Sequence, residues 1–364
     1  MDPISELRES LKGYLGWNKA RVSCFAHMLL SVMVTRTINL NKLACVMMGE
    51  AEQLSRYRRL QRFFAYFKLD YNHIAGFIFK LFFAVGEKFY LTMDRTNWQW
   101  GKKDINILTL GIVFKGTAIP IYWTLLDKRG NSDTAERIEL IKTFVAQFGG
   151  EGILGLLGDR EFVGKEWFKW LLKHSIPFYI RIKKNTVTTN SKGQSIDIDA
   201  LFYELKPCEQ RIIQDKRKIW GHDLYLAGLR LTDGELLIVA TSELPDNAIK
   251  IYGLRWEIET LFGCLKGRGF HFEDTHITQM DRIKKILVLL AIAFCWAHKT
   301  GEWQHEIKPI KIKKHGRPSV SLFRYGLDYL VNAILNVFSR PELFEKCLEN
   351  LNASSYRPAT SLSQ

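Results

Sequence analysis

The chain has 364 residues, 47% of them hydrophobic, enough to bury a sizeable core in two or three structural units. Its formal net charge of +14 favours a polyanionic partner, most simply nucleic acid, over a generically basic surface. Six scattered cysteines with no C-x-x-C pair exclude a zinc site and a disulfide framework, and the longest uncharged apolar run, "ILVLLAIAFCWA" at 286–297, is too short to span a bilayer. No secretory signal opens the chain, so a soluble protein of a reducing cytoplasm is expected.

Residues 1–88 read as helices throughout, with apolar residues at helical spacing and no alternating stretch. Within "TINLNKLACVMMGEAEQLSRYRRLQRFFAYF" the pattern predicts a helix, a break near Gly49, and a second helix capped by Ser55. A helix-turn-helix would put Arg56, Arg58, Arg59 and Arg62 near the start of the second helix, where bases and phosphates are met. Arg58 and Arg62 are the candidate DNA contacts. The alternative is an ordinary helical bundle with a charged face.

The texture changes at residue 89. "FYLTMD" alternates like a strand that ends at Asp94, and "INILTLGIVF" and "AIPIYWTLL" follow as a hairpin about Gly116. A helix is expected to open at Ser132–Thr134. Then come a short apolar strand "ILGLLGD", a helix "KEWFKWLLKH" and a strand "PFYIRI". Three strands, helix, strand, helix, strand is the order of a ribonuclease-H-like α/β domain. Residues 89–183 would form its first part and 246–300 its second, interrupted at 184–245 by a β-rich insertion. Residues 301–364 read as a basic C-terminal region with a helix and a tail, "NASSYRPATSLSQ", whose composition suits disorder. Across 282–318 there are nine Lys or Arg against two Glu.

Asp94 closes the first strand and Asp159 follows the fourth, so a ribonuclease-H-like sheet sets the two carboxylates side by side. Adjacent carboxylates repel unless a cation lies between them. Hard oxygen ligands suit Mg²⁺ or Mn²⁺. Glu259 is the candidate third ligand, on a helix crossing the sheet. Two ions about 3.5–4 Å apart would then activate an attacking oxygen and stabilise a leaving oxygen at phosphorus. Each aspartate alone is more simply a turn former, and the constellation is what points to metal.

Glu259 belongs to "IYGLRWEIETLFGCLKGRGF" at 251–270. On a wheel of about 100° per residue, Tyr252, Arg255, Glu259 and Lys266 share an arc of roughly 60° over about 21 Å. Leu254, Ile258, Leu261 and Leu265 take the opposite face. A solvated stripe with a weak Arg255–Glu259 pair is the bland reading. The sharper one is a carboxylate held among phosphate-binding groups. Glu257 points about 160° away from Tyr252 on the same wheel, and Glu161, two residues after Asp159, reads as a supporting residue.

"MDRTNWQWG" at 93–101, "GDREFVGKEW" at 158–167 and the spacing Tyr252-x2-Arg255-x3-Glu259-x6-Lys266 resemble the signatures of the insertion-sequence-four family of DDE transposases. "FEDTHIT" at 272–278 and "GRPSVSLFRYGLDYL" at 316–330 are similar to that family too. The resemblance covers most of residues 89–330. It implies that Asp94, Asp159 and Glu259 are the catalytic, metal-holding triad, with two Mg²⁺ or Mn²⁺ ions. Tyr252, Arg255 and Lys266 would hold phosphates near the cleaved end, and Arg181, in "PFYIRIKKN", the DNA backbone. Some relatives stack a flipped base of a hairpin intermediate on a tryptophan where this chain has Leu237. Trp220 is the candidate replacement, and a core or turn aromatic is its alternative.

The implied activity is cut-and-paste transposition. The enzyme would bind terminal inverted repeats of double-stranded DNA, cleave the ends and transfer 3′-hydroxyl strands to target DNA, as a homodimer in a prokaryotic, nucleoid-associated setting. The rivals are a structure-specific nuclease on the same fold and a non-catalytic, transposase-derived DNA-binding protein.

Overall fold

A computed structural model describes residues 2–190, 192–314 and 316–352. The chain divides into two compact units. One comprises Met1–Val85, Trp98–Lys103 and Phe262–Gln364, the other Gly86–Asn97 and Asp104–Leu261. The tail expected to be disordered lies outside the described residues from 353 onward.

The first unit opens with five helices, α1 (Pro3–Leu15), α2 (Lys19–Thr35), α3 (Leu40–Val46), α4 (Gln53–Tyr66) and α5 (Tyr71–Phe82). Short polar side chains start four of them, because Asp2, Asn18, Asn39 and Asp70 each accept an otherwise unpaired amide of the first turn. The exception is α4, which begins at Gln53, so Ser55 lies inside its first turn and caps nothing. Its start is held by Arg56, whose guanidinium donates to the carbonyls of Met47 and Gly49. The connection from 47 to 52 is longer than the three- to four-residue turn of a helix-turn-helix.

The second unit is built on one sheet of order β3-β2-β1-β4-β5-β10-β9-β8. Its first half is β1 (Phe89–Trp100), β2 (Lys103–Phe114), β3 (Thr117–Leu125), β4 (Ile153–Gly158) and β5 (Phe178–Ile182), with α6 (Thr134–Phe148) and α7 (Lys165–Lys173) as crossovers. This is the expected ribonuclease-H-like order, with β4 parallel to β1 and β5 parallel to β4. The helix α6 opens where the sequence indicated, on a capping box between Asp133 and Glu136. The strand β1 does not end at Asp94. It runs on through "RTNWQW" to a tight turn at Gly101, whose positive φ of 57° suits a residue without Cβ.

The stretch from 184 to 245 extends the same sheet. A small ladder, β6 (Val187–Thr189) with β7 (Ser195–Asp197), stands apart, while β8 (Gln210–Ile219), β9 (His222–Arg230) and β10 (Leu236–Thr241) add antiparallel strands beyond β5. On one face Leu157, Tyr179, Leu237 and Val239 pack beneath Ala248 and Tyr252.

Those last two residues belong to α8 (Ala248–Gly253), which is followed by α9 (Trp256–Leu265). A single straight helix was expected here. Instead the amides of Leu254, Arg255, Glu257 and Ile258 each bond the carbonyl three residues back, so the helix tightens into a joint. The first unit, which resumes at Phe262, continues with α10 (Met280–Ile307), α11 (Leu322–Leu335) and α12 (Pro341–Glu349). Gly301 and Gly326 let α10 and α11 cross at backbone contact: a Cβ on Gly301 would stand 1.9 Å from the Leu322 carbonyl oxygen.

Candidate active site

Thr92 of β1 lies beside Leu157 of β4, and Leu157 beside Tyr179 of β5. Side chains return to the same face every second residue. Two residues further along stand Asp94 in β1, Asp159 just past the end of β4 and Arg181 in β5, one row on one face. Their neighbours on that face, Leu157 and Tyr179, are the residues that α8 covers. The apolar alternation of the strands therefore buries the row's base while leaving its polar end under the α8–α9 joint.

The joint delivers Arg255 to this row. Its guanidinium lies 3.1 Å from the Asp94 carboxylate and 2.8 Å from that of Glu259, and its Nε donates to the Tyr252 hydroxyl at 3.2 Å. Tyr252 and Arg255 are almost fully buried, at 3% and 6% exposure, so the stripe is not a solvated face. Ile258 and Leu261 are buried as well, because the helix is covered on both sides. Burial raises the Tyr252 hydroxyl pKa, against the pull of Arg255, with Arg181 and Asp159 close enough to contribute.

Burial also pushes the Asp94 carboxyl up to about 7; the Arg255 charge opposes this, and Asp159 and Glu161 add repulsion. The loop after Asp159 is fixed by two arginines that the sequence reading did not single out. Arg95 clamps Glu161 with bonds of 2.6 and 2.7 Å and also reaches Asn106 and Asn131. The buried Arg137 donates to the carbonyls of Glu161 and Val163. Asp159 Oδ1 accepts the Glu161 amide at 2.8 Å, so Glu161 supports the loop, as expected. The signal was present: Arg95 directly follows the first aspartate in "MDRTN", but a strand residue does not announce its partner.

Glu257 faces away from the row. Its carboxylate accepts the amides of Phe114 and Gly116 at 2.8 and 3.2 Å, tying the β2–β3 turn to α9. Burial raises its pKa to about 7, against these two amides.

Of the remaining candidates, Arg181 stands in the row and the others fall elsewhere. Arg181 is held by Glu235 at 2.6 Å. Trp220 sits in the β8–β9 turn with φ of 48°, its ring edge-on to Phe168 at 5.4 Å, and lines a cleft of about 620 Å³ with Lys183 and Lys218. Leu237 is a core residue of β10. In the other unit, Lys266 pairs with Glu273 at 2.6 Å and lies over the Trp98 ring, 5.6 Å from its centroid. Of the four arginines in α4, Arg56 and Arg59 turn to backbone carbonyls outside the helix, those of Met47, Gly49 and Ala20, while Arg62 donates to the Arg58 carbonyl one turn back. Arg58 and Arg62 lie on the exposed side with Leu54 and Tyr66, spaced four apart.

The sheet has the ribonuclease-H-like strand order, with Asp94 on β1, Asp159 just past β4 and Glu259 on α9. The chain belongs to the DDE transposase family: the family model described as "Transposase DDE domain" matches residues 84–296, more than half its length. It is thus a transposase, from a family of DNA-cleaving enzymes. Among solved structures, the cryo-EM structure of a piggyBac transposase synaptic complex with hairpin DNA is similar at a TM-score of 0.49 and 12% identity, over 100% of this chain and 85% of that one. No curated protein matches the chain. No helix among the described residues is long and apolar enough to cross a membrane.

DDE transposase domains use divalent metal ions, and the donor set suits them. Asp94 is a desolvated carboxylate in need of positive charge, Asp159 stands next to it, and both offer hard oxygen. Among the described residues no three His, Cys, Asp or Glu side chains converge to enclose an ion. Glu259 is instead turned to Arg255, whose guanidinium supplies the cation between Asp94 and Glu259.

Proposed function

We propose that this chain is a cut-and-paste transposase of the insertion-sequence-four type, with Asp94, Asp159 and Glu259 as its catalytic carboxylates. The observation that carries this is the row Asp94–Asp159–Arg181 on adjacent parallel strands, with Arg255 bridging Asp94 to Glu259 above it. The three carboxylates would hold Mg²⁺ or Mn²⁺, and two bound ions would polarise the scissile phosphate and favour ionisation of the attacking hydroxyl.

The chain's own groups do the positioning. Arg255 presents a planar fork to a phosphate, and Tyr252 fixes that fork from behind. Arg181 places a cation at the far end of the row, where a DNA backbone leaving the site would pass. Buried Arg255 and Tyr252 exclude water from that side. The Arg95–Glu161 and Arg137 contacts hold Asp159 in register with Asp94. Lys266, in the other unit, supplies a further phosphate contact, and Arg58 and Arg62 of α4 contact the terminal inverted repeats. Joining two ends calls for a homodimer on DNA.

A reaction with the flanking genomic ends, Mg²⁺ and a supercoiled target tests this reading. It predicts nicked ends followed by end-to-target joints. Nicks without joints would favour the structure-specific nuclease, and end binding without nicks the non-catalytic protein.

A further inference from the structure

A cleft of about 850 Å³ opens where β5 meets the β9–β10 turn. Arg160, Arg181, Lys183 and Lys184 line it against two acids, Asp199 and Glu235. Arg160 directly follows Asp159, so the cleft starts beside the carboxylate row and runs toward the insertion strands. Its most basic corner is closed by one group. Glu235 Oε1 lies 2.6 Å from Arg181 and 3.5 Å from Arg160, a single carboxylate oxygen shared by two guanidinium groups.

The fold does not require that carboxylate. The β9–β10 turn is closed without it: the Leu231 amide donates to the Glu235 carbonyl at 2.8 Å, the Gly234 amide to the Leu231 carbonyl at 3.0 Å, and the Glu235 amide to the Asp233 carboxylate at 2.9 Å. Arg230 also spans the turn, donating to the Gly234 carbonyl. The Glu235 side chain is 45% exposed and Arg160 55%, so their ion pair adds little to stability. A carboxylate oxygen forked by two arginines has the charge and geometry of a phosphate oxygen.

We infer that Glu235 occupies the place of a DNA backbone phosphate, and that Arg160 and Arg181 together form a phosphodiester site which Glu235 neutralises until DNA arrives. The inference rests on the transposase reading and adds Arg160 and Glu235 to it. A phosphodiester entering the cleft takes over both guanidinium groups, and the Glu235 side chain swings out to water. Glu235 thereby lowers affinity for any DNA and leaves the corner to strands delivered from the carboxylate row.

The test is binding of a non-cognate duplex across a salt series, with Mg²⁺ omitted so that nothing is cut. Glu235→Gln should tighten binding roughly three- to tenfold at moderate salt, with a slope of log K against log salt steeper by about 1–2, because two cations become available. Arg181→Ala should weaken binding, and Glu235→Gln should then bring only a small gain, since the released partner is gone. Glu166→Gln on α7 controls for simple loss of negative charge and should change little. If Arg181→Ala weakens binding while Glu235→Gln leaves affinity and slope unchanged, the inference falls and the transposase reading stands. If Arg181→Ala has no effect, the DNA site at this corner falls with it. Replacing chloride by inorganic phosphate at matched ionic strength should weaken wild-type binding and leave Arg181→Ala unchanged, because the free anion competes for the same two guanidinium groups; an equal loss in both would place that competition elsewhere and count against this corner.

Discussion

Two arginines of the second unit, Arg255 and Arg181, each hold a carboxylate, and their surroundings differ. The Arg255 side chain is 7% exposed and its partner Asp94 15%, whereas Arg181 is 17% exposed and its partner Glu235 45%. In the first pair both charges have been taken out of water, and desolvation outweighs attraction enough to raise the Asp94 pKa. In the second, water screens the pair and either group is exchangeable. A buried, poorly compensated carboxylate beside a second one suits a stronger cation, while a screened arginine beside an exposed carboxylate suits a visiting anion.

The largest effect expected on this contrast comes from Arg255. Arg255→Ala should cost on the order of 3 kcal/mol of stability at pH 8, because Asp94 is left buried and unpaired, and cleavage should fall on the order of 100-fold from misplacement of the phosphate. Arg255→Lys should recover part of the stability but not the cleavage rate, since an ammonium lacks the fork. Denaturant melts beside single-turnover nicking would separate the two losses. Equal stability of wild type and Arg255→Ala would remove the buried half of the comparison.

Next in size is the titration of Asp94. Its carboxyl rises from 3.8 unfolded to about 7 folded, so the folded state favours the protonated form. That contribution is complete below about pH 4 and is lost as pH rises through 7, on the order of a few kcal/mol in all. Metal-free wild type should therefore lose stability between pH 5 and 8 more steeply than Asp94→Asn. Millimolar Mg²⁺ should restore it at pH 8 in wild type and not in the variant, which calorimetry across that range would record.

Smaller still is Glu257→Gln. The amide keeps one of the two turn contacts and sets its own N–H against the other, for about 1–2 kcal/mol, with nicking unchanged on the intact protein. At the bottom of the scale, Arg181→Ala should shift stability by less than about 1 kcal/mol, as befits a screened pair. A loss as large as that of Arg255→Ala would mean that the two regions do not differ.

Much of the placement of these candidate residues was legible in the chain. Asp94 and Asp159 each follow an apolar stretch whose alternation or length marks a strand, and the element order made those strands neighbours. Glu259 was legible from the helical spacing of its stripe. Three things were not. A helical wheel gives angles around an axis but not what covers each face, so it left open whether the stripe is solvated; Tyr252 and Arg255 are buried. The α8–α9 joint arises from i+3 bonding that leaves no compositional trace. The pairing of β10 with β5 joins segments far apart in sequence, so the insertion read as an interruption rather than as more of the same sheet. The start of α4 was misplaced for a related reason: Ser55 is a good cap by type, but Arg56 ties the previous loop to the helix from Gln53.

The most direct test is end nicking in Mg²⁺ by wild type, Asp94→Asn, Asp159→Asn and Glu259→Gln, each first shown to bind the ends and to melt cooperatively. Each substitution removes an oxygen that would hold metal without removing core packing, so nicking should vanish in all three while end binding persists. Nicking at the wild-type rate in any one of them would contradict the assignment of that carboxylate. Wild-type nicking in all three would show that the row on the sheet is not the catalytic centre.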